Sequence, residues 1–219
     1  MKYEFKTQPF AHQKTALTRS WNKPHYGFFM EMGPGKSKVL IATIGILYGK
    51  GAINAAVIVA PKGVYKNWST KEIPDHMPEY IDRHVAVWSP APRKQEKADL
   101  MKLFDVGEDK LKIFVINVEA FSTAKGVKFT ENFILGHQVL FAVDESTTIK
   151  NPKASRTKAI TKLAKNTKFR RILTGSPITQ SPLDLYSQTE VLGTSLLGYS
   201  SFYSFQNHFG EVVNRYFGG

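Results

Sequence analysis

Residues 27–37 read Gly27-Phe28-Phe29-Met30-Glu31-Met32-Gly33-Pro34-Gly35-Lys36-Ser37: an apolar strand, a glycine-rich turn and the opening of a helix. The helix continues from Lys36 to Tyr48, with Val39, Leu40, Thr43 and Ile44 on its apolar face. A glycine turn at that junction lets backbone amides close around an anion at the positive end of the helix dipole, the context of a phosphate-binding loop. Lys36 is then placed to meet the β and γ oxygens of a nucleotide, and Ser37 to ligate magnesium. Two residues depart from the general pattern: Met30 stands where Gly or Ala is usual, and Pro34 withdraws one amide donor. The competing reading is an ordinary Gly-Pro turn that caps a helix.

Outward from this loop, short runs rich in Val, Ile and Phe recur at Ala55 to Ala60, Val85 to Trp88, Lys112 to Val118, Val139 to Val143 and Arg171 to Leu173. With Gly27 to Met32 they read as strands buried on both faces. Helical patterns lie between them at Gly63 to Glu72, Arg93 to Phe104 and Lys153 to Ala164, and Ser181-Pro182-Leu183-Asp184 reads as a helix start with Ser181 as N-cap. This alternation predicts an α/β fold, a mostly parallel sheet between layers of helices, with ligands beyond the carboxyl ends of the strands. One such end is Val139-Leu140-Phe141-Ala142-Val143-Asp144-Glu145. Paired with a phosphate loop, its two acids match a nucleotide site: Asp144 holding magnesium through its water shell, Glu145 orienting and deprotonating the attacking water.

Read in order, the segments resemble superfamily 2 nucleic-acid motors, most closely their Swi/Snf branch, over nearly the whole chain. The resemblance implies a RecA-like P-loop NTPase lobe. Gln8-Pro9-Phe10-Ala11-His12-Gln13 is similar to the family's opening glutamine motif, with Gln13 reading the adenine edge. Gly33, Pro34, Gly35, Lys36, Ser37 and Lys38 are the remaining ATP-binding candidates, and Lys36, Asp144 and Glu145 the catalytic ones. Ala60-Pro61-Lys62, with Trp68 and Glu72-Ile73, resembles a loop that touches the nucleic-acid backbone. Lys62 is its expected phosphate contact, while Trp68 is given a packing role. Ile116-Asn117-Val118-Glu119-Ala120 resembles a second such loop, with Asn117 as the contact, and Lys150 is a further candidate.

After Glu145, the chain reads Ser146-Thr147-Thr148-Ile149-Lys150-Asn151, where the family has D-E-A-H-x-I-K-N. Ser146 and Thr147 replace the usual Ala-His, which puts in doubt the contact linking nucleotide state to the third motif. That motif is Leu173-Thr174-Gly175-Ser176-Pro177-Ile178, similar to L-T-G-T-P. Thr147, Thr174, Gly175 and Ser176 are the coupling candidates.

Composition sets the outer bounds. The 219 residues are 42% hydrophobic and 22% charged, enough to bury a sizeable core in one domain, and no run approaches the roughly 20 apolar residues of a membrane span. Without cysteine there is no disulfide framework and no thiolate metal site. A net charge of +12 and a pI near 9.7 favour a polyanionic partner. The expectation is an intracellular, cytoplasmic protein whose compact spacing resembles bacterial or phage members, with no membrane partner.

Residues 1–192 are assigned to the N-terminal ATP-binding lobe, and 193–219 to an aromatic-rich extension leading toward a missing second RecA-like lobe. The function expected is ATP-dependent DNA translocation or unwinding, with Mg2+ and ATP as cofactors and nucleic acid as partner. Two other classes compete: a single-lobe, nucleotide-dependent nucleic-acid binding module without turnover, and a small-molecule kinase. A kinase would call for neither the adenine-reading opening nor the T-G-S-P segment.

Overall fold

The computed structural model describes residues 3–31, 33, 35–105, 107 and 109–210. The expectations for Met32, Pro34 and 211–219 lie outside the described residues. Among those described, six strands form one sheet: β1 His25–Phe29, β2 Ala55–Ala60, β3 Arg83–Val87, β4 Leu111–Asn117, β5 Val139–Asp144 and β6 Phe169–Thr174. Their order is β1-β6-β5-β2-β4-β3, and every pairing is parallel. The expected parallel sheet is thus present at all six predicted positions, with no end shifted by more than three residues and β2 matching at both ends.

Every residue of β2 and β4 is buried, which requires helices on both faces. Alternation divides the core accordingly. Ala56, Ile58 and Ala60 join Leu17 of α1 (Ala11–Ser20) and Leu40, Ile41 and Ile44 of α2 (Lys36–Gly49) in one layer. Ala55, Val57 and Val59 face the other way, toward four helices. These are α5 (Lys94–Lys102), α6 (Ala124–Leu135), α7 (Ser155–Ala164) and α8 (Asp184–Leu192), which contribute Leu100, Phe133, Ile160 and Val191. Because α2 carries apolar residues around most of its circumference, it packs as an interior helix rather than a surface one.

Three features depart from the sequence reading. Neither α1 nor α6 is anticipated by it. The second is set by a Thr123 cap, whose Oγ1 accepts the Gly126 N–H at 3.2 Å, and by Gly126 itself, where a side chain would come within 2.4 Å of the Ala120 carbonyl oxygen. The helix expected over 63–72 runs over residues 65–76 as α3 (Tyr65–Asn67), a π turn (Trp68–Glu72) and α4 (Ile73–His76). Pro74 cannot donate to the carbonyl four residues back, and the helix widens immediately before it. Finally, α8 starts at Asp184 rather than just after Ser181: the Asp184 N–H closes a tight turn onto the Ser181 carbonyl, and the Asp184 carboxylate reaches back past that turn to the Thr179 and Gln180 N–H groups.

Beyond α8 the chain forms α9 (Phe202–Phe209), anchored by Tyr186 against the rings of Phe202 and Phe205. No helix among the described residues is long and apolar enough to cross a membrane.

Candidate nucleotide site and nucleic-acid interface

Since all strands run in one direction, their carboxyl ends make a single rim, and the order β1-β6-β5 puts three motif-bearing ends side by side. Phe29 pairs with Thr174 and Leu173 with Asp144, while the Met30 N–H donates to the Thr174 carbonyl at 3.3 Å. The loop after β1, the end of β6 and the end of β5 at Asp144 are therefore tied at backbone level.

The loop itself is built by glycine. Gly33 and Gly35 take φ of +90° and +79°, and Gly35 caps α2 in the left-handed region, where L side chains are strained. Lys36 is the first residue of the helix. Its ammonium folds back over the loop, donating to the carbonyls of Met30 at 3.1 Å and Glu31 at 2.9 Å, with 9% of the residue exposed. These are interchangeable acceptors for a cation that an anionic oxygen could claim. Ser37 follows, half-buried, and Lys38 donates to the Gln8 carbonyl at 2.8 Å, fastening the N-terminal segment to α2. Burial pushes the Lys38 ammonium below its ordinary pKa.

Gln13 lies directly on this loop. Its Oε1 accepts the Phe10 N–H at 3.0 Å, the reach-back of an N-terminal cap, and its Nε2 sits 2.3 Å from where a Gly35 side chain would begin. Opposite, Asp144 receives the Trp68 indole N–H at 3.0 Å and the Glu145 N–H at 3.0 Å. Burial pushes the Asp144 carboxyl up to about 6 and the Glu145 charge adds to it, against the Trp68 and Glu145 hydrogen bonds and the Lys36 charge. Glu145 takes φ +46°, ψ +61°, a conformation uncommon outside glycine that concentrates at functional sites.

The coupling candidates divide. Thr174 is buried and its Oγ1 accepts the Ser176 N–H at 3.2 Å; Gly175 is half-buried and Ser176 exposed. Thr147 is half-buried in the 3-10 turn Ser146–Ile149. Its neighbour Ser146 is fully buried and donates to Gln188 of α8 at 2.6 Å.

Along the same rim, the Ala60–Asn117 pairing brings together the two loops expected to meet the nucleic-acid backbone. Lys62 is exposed, while Asn117 is 8% exposed and spends its amide on Glu119 Oε2 at 3.1 Å. Lys150 lies apart from both. It donates to Thr179 Oγ1 at 2.7 Å and Gln180 Oε1 at 3.2 Å, with Asp184 at 3.7 Å. Asp184 Oδ2 in turn accepts from Thr179 N–H, Thr179 Oγ1 and Gln180 N–H. Burial by itself raises that carboxyl, but these hydrogen bonds and Lys150 hold it at about 2.

Sequence reading missed Trp68 as an acid partner, although a buried indole N–H usually finds an acceptor. It also missed Gln188, which nothing local distinguishes from a surface glutamine of α8.

A search of curated proteins finds no match. Among solved structures, the chain is similar to a Sulfolobus solfataricus SWI2/SNF2 ATPase core in complex with dsDNA, at 22% identity and a TM-score of 0.72, over 94% of this chain and 40% of that one. It is also similar to the UvsW helicase from bacteriophage T4, at 13% identity and a TM-score of 0.59, over 85% of this chain and 59% of that one. The chain thus spans less than two thirds of either. At these identities the likeness establishes the fold alone, a RecA-like lobe. The SNF2-related domain matches residues 13–214, nearly the full length, and the chain belongs to that family.

Proposed function

We propose that the chain is the ATP-binding N-terminal lobe of a DNA translocase or helicase. The observation that carries the proposal is the convergence of Lys36, Asp144 and Thr174 on the ends of three adjacent strands, with Gln13 closing over the loop. Gln13 selects adenine, the Gly33 and Gly35 amides and Lys36 take the phosphates, and Lys38 lies at the margin. Ser37 and Asp144 would hold magnesium, Asp144 in part through water, and the ion would neutralise charge on the β and γ oxygens. Glu145, at the end of β5, orients and deprotonates the attacking water.

Lys62 and the loop that follows Asn117 meet the phosphate backbone of a duplex, a partner favoured by the +12 charge and by the relative described in complex with dsDNA. Residues beyond 192 lead toward a second RecA-like lobe that supplies the finger for transition-state charge. Such a finger contributes roughly a thousandfold to a hundred-thousandfold in turnover.

Calorimetric titration of the chain with Mg-ATP tests the reading: binding is lost in Lys36→Ala and is weaker for Mg-GTP. Unchanged binding in Lys36→Ala overturns the nucleotide site. Joined to a second lobe, the chain hydrolyses ATP with DNA stimulation and Glu145→Gln abolishes turnover while sparing ATP binding. Brisk hydrolysis by the single lobe as a monomer overturns the two-lobe mechanism.

A further inference from the structure

Position 147, where the family's D-E-A-H has histidine, holds a threonine whose hydroxyl makes no hydrogen bond among the described residues. One residue earlier, where the family has alanine, Ser146 is fully buried and donates its hydroxyl to Gln188 Oε1 at 2.6 Å. Gln188 is also fully buried and uses both amide hydrogens, on the carbonyls of Pro177 and Asp184, each at 2.7 Å. The two carbonyls accept only, so the amide nitrogen must face them. Oε1 is left facing Ser146, and because an amide oxygen only accepts, the Ser146 hydroxyl must donate to it. The orientation of every group in this chain of hydrogen bonds is therefore forced.

A buried polar pair gains little over an apolar pair of the same shape, and costs stability when half-satisfied. Packing alone gives no reason for it among Ile149, Val191 and Leu192. What it does is join two places. Ser146 follows Glu145, whose backbone sits in the strained left-handed region. Pro177 follows Thr174-Gly175-Ser176, and its loop continues into Thr179 and Gln180, which Asp184 and Lys150 clasp. Any shift of the Glu145–Ser146 peptide pulls directly on the 175–180 loop, whose Ser176, Ile178, Thr179 and Gln180 are exposed on the rim.

We propose that Ser146 and Gln188 form the relay by which nucleotide state is communicated to the 175–180 loop in this chain, doing the work of the histidine that position 147 lacks. The relay rests on the nucleotide and duplex binding proposed above; Ser146 and Gln188 are positioning residues that touch neither ligand. Its measure is linkage, the factor by which a non-hydrolysable Mg-ATP analogue changes the affinity of the chain for a short DNA duplex. Couplings of this kind run from about 5-fold to about 150-fold.

Ser146→Ala removes most of that factor while leaving the affinity for each ligand taken alone unchanged, and Ser146→Thr, which keeps the hydroxyl, retains it. The double variant Ser146→Ala with Gln188→Met avoids a buried unpaired amide oxygen, folds, and shows the same loss. A purely structural role lowers stability in all of these without separating Thr from Ala in the coupling factor. Coupling at the wild-type level in Ser146→Ala or in the double variant overturns the relay alone, as does a wild-type chain whose duplex affinity ignores the bound analogue. A wild-type chain that binds no Mg-nucleotide overturns the site reading first, and the relay with it.

Discussion

The indole N–H of Trp68 donates to Asp144 Oδ2 at 3.0 Å across 76 residues of sequence. It ties the π turn that follows the Lys62 loop to the acid proposed to hold magnesium. Trp68→Phe keeps the ring in the core and removes the donor. We expect a loss of about 1.5–3 kcal/mol, the usual worth of a hydrogen bond to a charged group, and weaker magnesium-dependent ATP binding. Urea unfolding and Mg-ATP titration measure the two effects. Wild-type values in both would show that the contact positions nothing.

Gly35 and Gly49 bracket α2 and predict opposite signs. Gly35 has φ +79° and no space beside Gln13, so Gly35→Ala pays about 1–2 kcal/mol of backbone strain and displaces the glutamine. Gly49, at the end of α2, has ordinary φ and nothing within 4 Å of a new side chain, so Gly49→Ala stabilises by roughly 0.5–1 kcal/mol. Thermal unfolding of the pair, with ATP binding lost only in the first, is the check.

Arg171 is fully buried in β6, where its guanidinium donates to the carbonyls of Ser20, Lys23, Pro24 and Arg170 at 2.7–3.0 Å. It closes the negative end of α1, the helix that carries Gln13. Burial lowers its pKa to about 10. Arg171→Met strands these acceptors, and we expect a loss on the order of 3 kcal/mol. A lowered urea midpoint with an unchanged slope would show it; an unchanged midpoint would remove the capping role.

Asp184, held at about 2 against an ordinary 3.8, binds its proton more weakly folded than unfolded. Its contribution is complete above about pH 4 and is lost as pH falls toward 2. Asp184→Asn should lower stability at neutral pH and flatten that part of the acid limb. Parallel acid limbs in the two proteins would mean that the carboxylate is not held by Thr179, Gln180 and Lys150.

Much of the fold was legible because the strands are short, apolar and buried on both faces, so that Ala55–Ala60 and Val139–Asp144 stand out without any partner being known. The glycine loop before α2 was legible for a related reason: its residues are local, with Gly33, Gly35, Lys36 and Ser37 lying within five residues. Helices α1 and α6 left weaker traces. Gly126 costs helix propensity, and its reason is the Ala120 carbonyl against which it packs. Tertiary structure alone decided which polar side chains act together. The Trp68–Asp144, Ser146–Gln188 and Lys150–Asp184 contacts join residues 76, 42 and 34 positions apart. No periodicity records such pairs, because a buried donor needs only one acceptor in reach, and which one it meets depends on how strands β1, β6 and β5 are ordered.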